Sequence, residues 1–341
     1  MIGPDVKLLA LLKANAYGHG ATALGLYAQK RGLSDFFGVA SAEEGISLRW
    51  AGVTKPILVL GSLYPFEAFE HAVNNDLSIT IASLEAARAV KQIAHKLGRK
   101  ARCHVKLDSG MGRIGTRRDG IMKVIEELAG DEWIELEGLF THLSSVDTDA
   151  AYTEEQIGYF RDVMTNVRLR RIPIKICHMA ASPALVARPD SYCDMVRPGH
   201  AAFGLADGFE PVLSLKSRIV FVKEVAAGAS ISYDRSFIAP RAMKVATIPV
   251  GYGDGYLRAL SNKAEVLIGS CRCRVLGNIT MDMCMVDLTP VPQARVGDEV
   301  VLIGRQGGEE IRARELADKA GTIDYELTTL VTARVPRFYK E

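Results

Sequence analysis

The chain has few of the residues and spacings that would announce a metal centre, a disulfide framework or a charged partner. Its six cysteines stand at positions 103, 177, 193, 271, 273 and 284 of 341 residues, and no two are spaced C-x-x-C. That excludes the usual zinc-ribbon and thioredoxin-type signatures and leaves reduced, structural thiols as the expectation. The seven histidines include no H-x-x-x-H pair, so no metal is expected. An excess of one charge is missing too. The 42 basic and 40 acidic side chains leave a net charge of +2, which gives no case for nucleic acid or an anionic membrane as partner. No apolar run approaches the ~20 residues of a membrane span. The opening residues, MIGPDVK, lack the basic and apolar regions of an export signal, so a cytoplasmic location is expected.

What is present is an ordinary globular composition, 48% hydrophobic and 24% charged, with enough apolar material for more than one core. Eight short apolar runs, at 6–12, 36–40, 57–60, 77–82, 103–107, 136–141, 174–177 and 195–204, alternate with helical patterns. The segment SAEEGISLRWAG places Glu44 three residues after Ser41, the pattern of a reciprocal helix cap, and Gly52 at the helix end. SLEAARAVKQIAHKLG and TEEQIGYFRDVMTNVRL are two further helices. Eight strands with crossover helices predict an α/β fold, an N-terminal (β/α)8 TIM-type barrel over residues 1–208. After that the helical period fades. SRIVFVKEV, KVATIPV, AEVLIG, CRVLG, MCMVDL and EVVLIG predict a mostly β C-terminal domain over residues 209–341, with one late helix in RARELADKAG.

Barrel active sites lie at the C-terminal ends of the strands. The first predicted strand ends on Lys13, in KANAYGHGA. A desolvated lysine there has a lowered pKa and can condense with a carbonyl. The small residues that follow leave room for a flat cofactor, and Tyr17 brings a phenol. Taken alone, a lysine stem covering a strand end is the plainer reading.

KANAYGHGA resembles the cofactor-lysine motif of the alanine racemases, pyridoxal-phosphate enzymes of fold type III. HVKLDSGMGRIG, LEGLFTHL, DMVRPGHAAFGL, ISYDRSF, TIPVGYGDGY, GNITMDMCMVDLT and GTIDYEL resemble that family's segments in the family's order, over essentially the whole chain. The resemblance implies that Lys13 holds pyridoxal 5'-phosphate as an internal aldimine and is one of two catalytic bases. The other is Tyr233, from a second subunit of a homodimer, so that active sites are shared. Tyr17, Ser182 and Tyr325, with the backbone amides of Gly199 and His200, are implied as phosphate donors. Arg197 faces the pyridine nitrogen, and His142 packs on the ring. An always-charged arginine there leaves that nitrogen unprotonated and weakens the electron sink, which argues against a decarboxylase. Arg113 binds the substrate carboxylate, and Lys106 matches a lysine that is often carbamylated. Met281 and Asp282 close the substrate pocket from the partner, and Tyr252 lines its entrance. The implied activity is interconversion of L- and D-alanine, supplying D-alanine for peptidoglycan. Another small substrate such as serine, and a non-catalytic cofactor-binding protein, are the alternatives.

Three departures from the family pattern stand out. The strand and helix expected before the lysine motif are missing from this sequence. Ala181 replaces the usual asparagine of HMAASP, and Asp234 replaces a glycine beside Tyr233.

Overall fold

The computed structural model describes residues 2–340. The chain forms two compact units. The first runs to Ala202 without Tyr17–Gly20, and that tetrapeptide belongs with the second unit, which continues from Phe203.

The first unit holds eight parallel strands: β1 (Lys7–Leu11), β2 (Phe36–Val39), β3 (Ile57–Val59), β4 (Ser78–Ile81), β5 (Ala101–Lys106), β6 (Ile134–Phe140), β7 (Ile176–His178) and β8 (Met195–Val196). They form one sheet in the order β7-β6-β5-β4-β3-β2-β1-β8. The ring closes through backbone bonds beside β7 and β8, from Asp194 N to the Cys177 carbonyl at 3.0 Å and from Arg197 N to the Ala180 carbonyl at 2.9 Å. Helices join consecutive strands. Ser41, Ser83 and Asp149 cap three of them through side-chain oxygens, because each is a short acceptor placed at the first unsatisfied amides. The strands read as continuous apolar runs, since both faces are covered. Leu9, Phe37, Ile57, Leu58, Ile79, Val105 and Leu139 are fully buried.

Two local features differ from the simple pattern. The run predicted over 195–204 contracts to a two-residue strand, because Pro198 offers no amide for a ladder and a 3-10 turn, His200–Phe203, follows. On β6, the register with β5 slips between Cys103 and His104: Leu136 faces Cys103 and Gly138 faces His104, so Glu137 is a bulge residue. A bulge re-aims its side chain.

The second unit is an antiparallel sheet, with strands β9 (Leu215–Arg218), β10 (Phe221–Val225), β13 (Met243–Ile248), β14 (Glu265–Ile268), β15 (Cys271–Leu276), β16 (Cys284–Asp287), β17 (Glu299–Gln306) and β18 (Glu309–Ile311), and a small hairpin of β11 (Ser230–Ile231) with β12 (Phe237–Ile238). Val266, Val286, Val300 and Val301 lie at the centre of its core. The sheet edges, the hairpin and the helix Asp324–Thr329 were not legible in the apolar pattern. The helix Ala313–Ala320 falls within the predicted segment. No helix among the described residues is long and apolar enough to cross a membrane.

Candidate active site

Lys13 follows β1 by two residues and opens a backbone turn of the uncommon hand. Ala14, Asn15, Ala16 and Tyr17 have φ of 50°, 54°, 55° and 54°. Each non-glycine residue in that region costs about 1–2 kcal/mol, and such strain persists only where surrounding bonds over-determine it. Three bonds do so here. Ala16 N donates to the Leu12 carbonyl at 2.8 Å, Ala21 N to Asn15 Oδ1 at 2.9 Å and Ala14 N to Glu44 Oε1 at 2.7 Å. The Lys13 amine is pushed below its ordinary pKa by burial first, then by the charge of Arg113, with Glu44 opposing and Arg197 adding to the fall.

Arg197 is buried at the end of β8. Its guanidinium donates to His178 Nδ1 at 2.8 Å and to the carbonyls of Thr141 and Met179 at 2.8 and 3.0 Å. Guanidinium has no acceptor, so His178 Nδ1 must accept and its proton sits on Nε2. That nitrogen lies 3.0 Å from His104 Nδ1, and His104 Nε2 lies 2.9 Å from Glu137 Oε2. The direction propagates: His178 donates to His104, and His104 donates to Glu137. Ser78 donates to the same carboxylate oxygen at 2.6 Å. Burial, and next the charge of Arg197, holds His178 neutral. Burial is the largest influence on the Glu137 carboxylate and works against it, but the interactions with His104, Ser78 and Arg102 together keep the carboxyl below its usual range. Burial pushes Arg197 down to about 9, still cationic at neutral pH. Gly138 makes room for the pair, since a Cβ there would lie 2.1 Å from His104 Nδ1.

Lys106, buried at the end of β5, has its amine 4.4 Å from the centre of the Phe140 ring. Burial, then Arg197 and Arg113, drive it well below its ordinary pKa. His142 falls to about 2 from burial and from Arg197, Lys106, Arg113 and Lys13. Lys13, Lys106, Arg113, His142 and Arg197 therefore share one electrostatic neighbourhood. Arg113 is exposed, on a loop whose ends are pinned by the pairing of Leu107 with Thr116. Nearby, Ser182 Oγ accepts from Gly199 N at 2.9 Å and Ala201 N at 3.3 Å. Ala181 is bridged to Arg197 across the barrel seam.

The second unit gathers its own group. Tyr17 lies 5.4 Å from Phe203 and 6.4 Å from Tyr325, ring centre to ring centre. Burial, and then Tyr325, raises the Tyr17 phenol to about 12, so it remains a donor. Tyr233 sits at the tip of the hairpin. Asp234, at the position where the family has a glycine, adopts the left-handed conformation (φ 59°, ψ 17°). Asn278 supports the tip, donating to the Tyr233 carbonyl at 3.2 Å and reaching Asp234 Oδ2 at 3.4 Å. Gly277 permits this, because a Cβ would meet Ser232 at 2.7 Å. The Met281–Asp282 turn docks on the Tyr252 segment: Tyr252 N donates to the Thr280 carbonyl at 3.1 Å and Gly253 N to the Met281 carbonyl at 2.9 Å. Arg334 ties Asp282 and Asp254 together at 2.8 and 3.3 Å.

Residues 1–207 match the alanine racemase N-terminal domain, and residues 212–339 match the alanine racemase C-terminal domain. This chain belongs to the alanine racemase family. The alanine racemase of Symbiobacterium thermophilum is 44% identical over 98% of this chain and 90% of that protein. The solved alanine racemase of Clostridium difficile has a TM-score of 0.92 at 36% identity, covering 98% of this chain and 89% of that one. The Bacillus anthracis alanine racemase, solved with bound L-Ala-P, has a TM-score of 0.92 at 33% identity over 100% of this chain and 90% of that one.

The family is one of pyridoxal-phosphate-dependent isomerases, and the residues present suit that cofactor. Lys13 carries an amine that burial and two guanidiniums disfavour as ammonium. The Ser182 hydroxyl, whose oxygen is held by the amides of Gly199 and Ala201, keeps a proton to offer an anion. Arg197 is a buried cation with no carboxylate among the described residues in salt-bridge reach. Sequence reasoning missed His104, Glu137, Asn278 and Arg334. The alternation of His104 with Lys106 along β5 was a usable signal, since it puts both on one face. The other three answer to a bulge and to loop–loop contacts, which leave no period.

Proposed function

We propose that this protein interconverts L- and D-alanine in the cytoplasm as a homodimer, with a barrel domain over residues 1–208 and a β domain over 209–341. The observation that carries the reading is the Lys13 amine, disfavoured as a cation at the end of a barrel strand, in a chain whose two parts match the two domains of one enzyme family. When bound, pyridoxal phosphate withdraws electrons from the substrate α-carbon. Lys13 Nζ holds or returns the proton on one face, and Tyr233 Oη of a second copy does so on the other. Tyr17, Ser182 and Tyr325, with the amides of Gly199 and His200, would hold the phosphate. His142 stays neutral and would pack on the ring. Arg197 would face the ring nitrogen as a donor, with its relay to Glu137 behind it. Arg113 orients the substrate carboxylate. Met281, Asp282 and Tyr252 bound the substrate space.

The second copy is supported by the second unit's surface. Tyr233 is 69% exposed, and Met281, Met283, Tyr252 and Ile238 of the same unit are exposed as well, large apolar side chains of the kind that a second copy would cover. Lys106 is proposed to carry a carbamate. A lysine held neutral by burial and by Arg197 and Arg113 is the form that reacts with carbon dioxide, and the anion formed would offset both guanidiniums. Incubation of the purified protein with pyridoxal phosphate and L-alanine, then chiral chromatography, tests the function. D-alanine in excess of D-serine from a parallel L-serine incubation supports it, and no D-alanine refutes it.

A further inference from the structure

The Ser41-x-x-Glu44 pattern predicts a reciprocal cap, in which each side chain serves the other residue's amide. Half of it forms. Glu44 N donates to Ser41 Oγ at 3.4 Å. The Glu44 carboxylate goes elsewhere: Oε2 accepts from Ala40 N at 2.7 Å, and Oε1 accepts from Ala14 N at 2.7 Å. Ala40 is the residue after β2, and Ala14 is the first left-handed residue after Lys13. One carboxylate thus ties the C-terminal ends of two neighbouring barrel strands, at the point where the strained turn begins.

We propose that Glu44 is a positioning residue for Lys13: its two oxygens fix the turn that presents the lysine and set an anion against the lysine amine. The chemistry requires a carboxylate. Two amide donors need two acceptors, and a glutamine side chain offers one acceptor and one donor. Aspartate keeps both acceptors but is one methylene too short to span both amides. The charges facing Lys13 are Arg113, Arg197 and Glu44, and His142 beside them is neutral. Two of the three charges work against the ammonium, and Glu44 works for it. Helix capping is a separable duty that rests on Ser41.

The inference depends on the racemase reading only for the role given to Lys13, and its test begins on the apoprotein. The pH dependence of Lys13 labelling by acetic anhydride, followed by peptide mass spectrometry, reads the amine directly. Glu44→Gln is expected to move the labelling midpoint to lower pH. Glu44→Asp is expected to raise the pyridoxal phosphate concentration that half-saturates the visible absorbance severalfold. Ser41→Ala is expected to lower the melting temperature and leave both readings unmoved. If Glu44→Gln fails to fold, the Glu44→Asp saturation decides. A Lys13 midpoint and a saturation curve unchanged in folded Glu44 variants would overturn the proposal. A shifted midpoint in a protein that racemises nothing would uphold it while refuting the activity.

Discussion

Arg197 and Glu137 do not touch, yet two histidines join them. The guanidinium donates to His178, His178 to His104, and His104 to Glu137. Because the first donor cannot accept, every proton in the chain has one possible position. A proton added to His104 would face His178 with a second donor and break the Arg197 contact. The relay thus gives a buried cation a distant counter-charge and keeps it a hydrogen-bond donor.

Glu137→Gln retains an acceptor for His104 but removes that charge. The loss of a charge-assisted bond is worth ~1.5 kcal/mol, about tenfold in rate where it is felt in full at the transition state. Steady-state racemisation with a circular-dichroism check of folding measures it. His178→Phe is expected to be worse, since it strands a buried donor at a cost of about 1–3 kcal/mol, visible in urea denaturation.

Stability should depend on pH below neutrality. The folded His142 titrates at about 2 against an ordinary 6.5, so between those values the unfolded chain binds more protons. Stability therefore rises with pH through that window and is full above 6.5. The limiting slope is ~1.4 kcal/mol per pH unit for one group, lessened here because the ring is partly exposed. Urea midpoints of the apoprotein from pH 7 down to pH 5 are expected to fall, and His142→Asn is expected to flatten the trend.

Lys106 offers a direct spectroscopic test. Protein equilibrated with 13C-bicarbonate is expected to show a carbamate resonance that is absent from Lys106→Arg. Acidification is expected to discharge it, because the protonated amine cannot hold the group.

Asn278 separates catalysis from folding on the second unit. It holds the Tyr233 tip through one backbone and one carboxylate contact, both near the surface. Asn278→Ala is expected to lower kcat severalfold and to shift the melting temperature by only a few degrees, about what a surface bond of ~1 kcal/mol gives.

Much of this was legible in the residues, for reasons of period. Eight apolar runs separated by amphipathic helices impose a barrel, and each run contains or overlaps an observed strand. Lys13, Arg197 and Ser182 lie where a barrel puts its chemistry, at strand ends. What was hidden depends on contacts without a repeat. The left-handed turn after Lys13 uses alanines and asparagine that carry no special signal. Glu137 reaches His104 only through a one-residue slip of register. Glu44 sits in a cap pattern that its carboxylate leaves half-used.

The central claim is that two different bases serve the two faces of the substrate. The most direct measurement follows the α-proton of L-alanine and of D-alanine by NMR in D2O, with the holoprotein and its Tyr233→Phe variant. The account predicts that the holoprotein exchanges both enantiomers with appearance of the other. In the variant, exchange from L-alanine collapses while exchange from D-alanine persists. Equal loss from both enantiomers, or none from either, would contradict it.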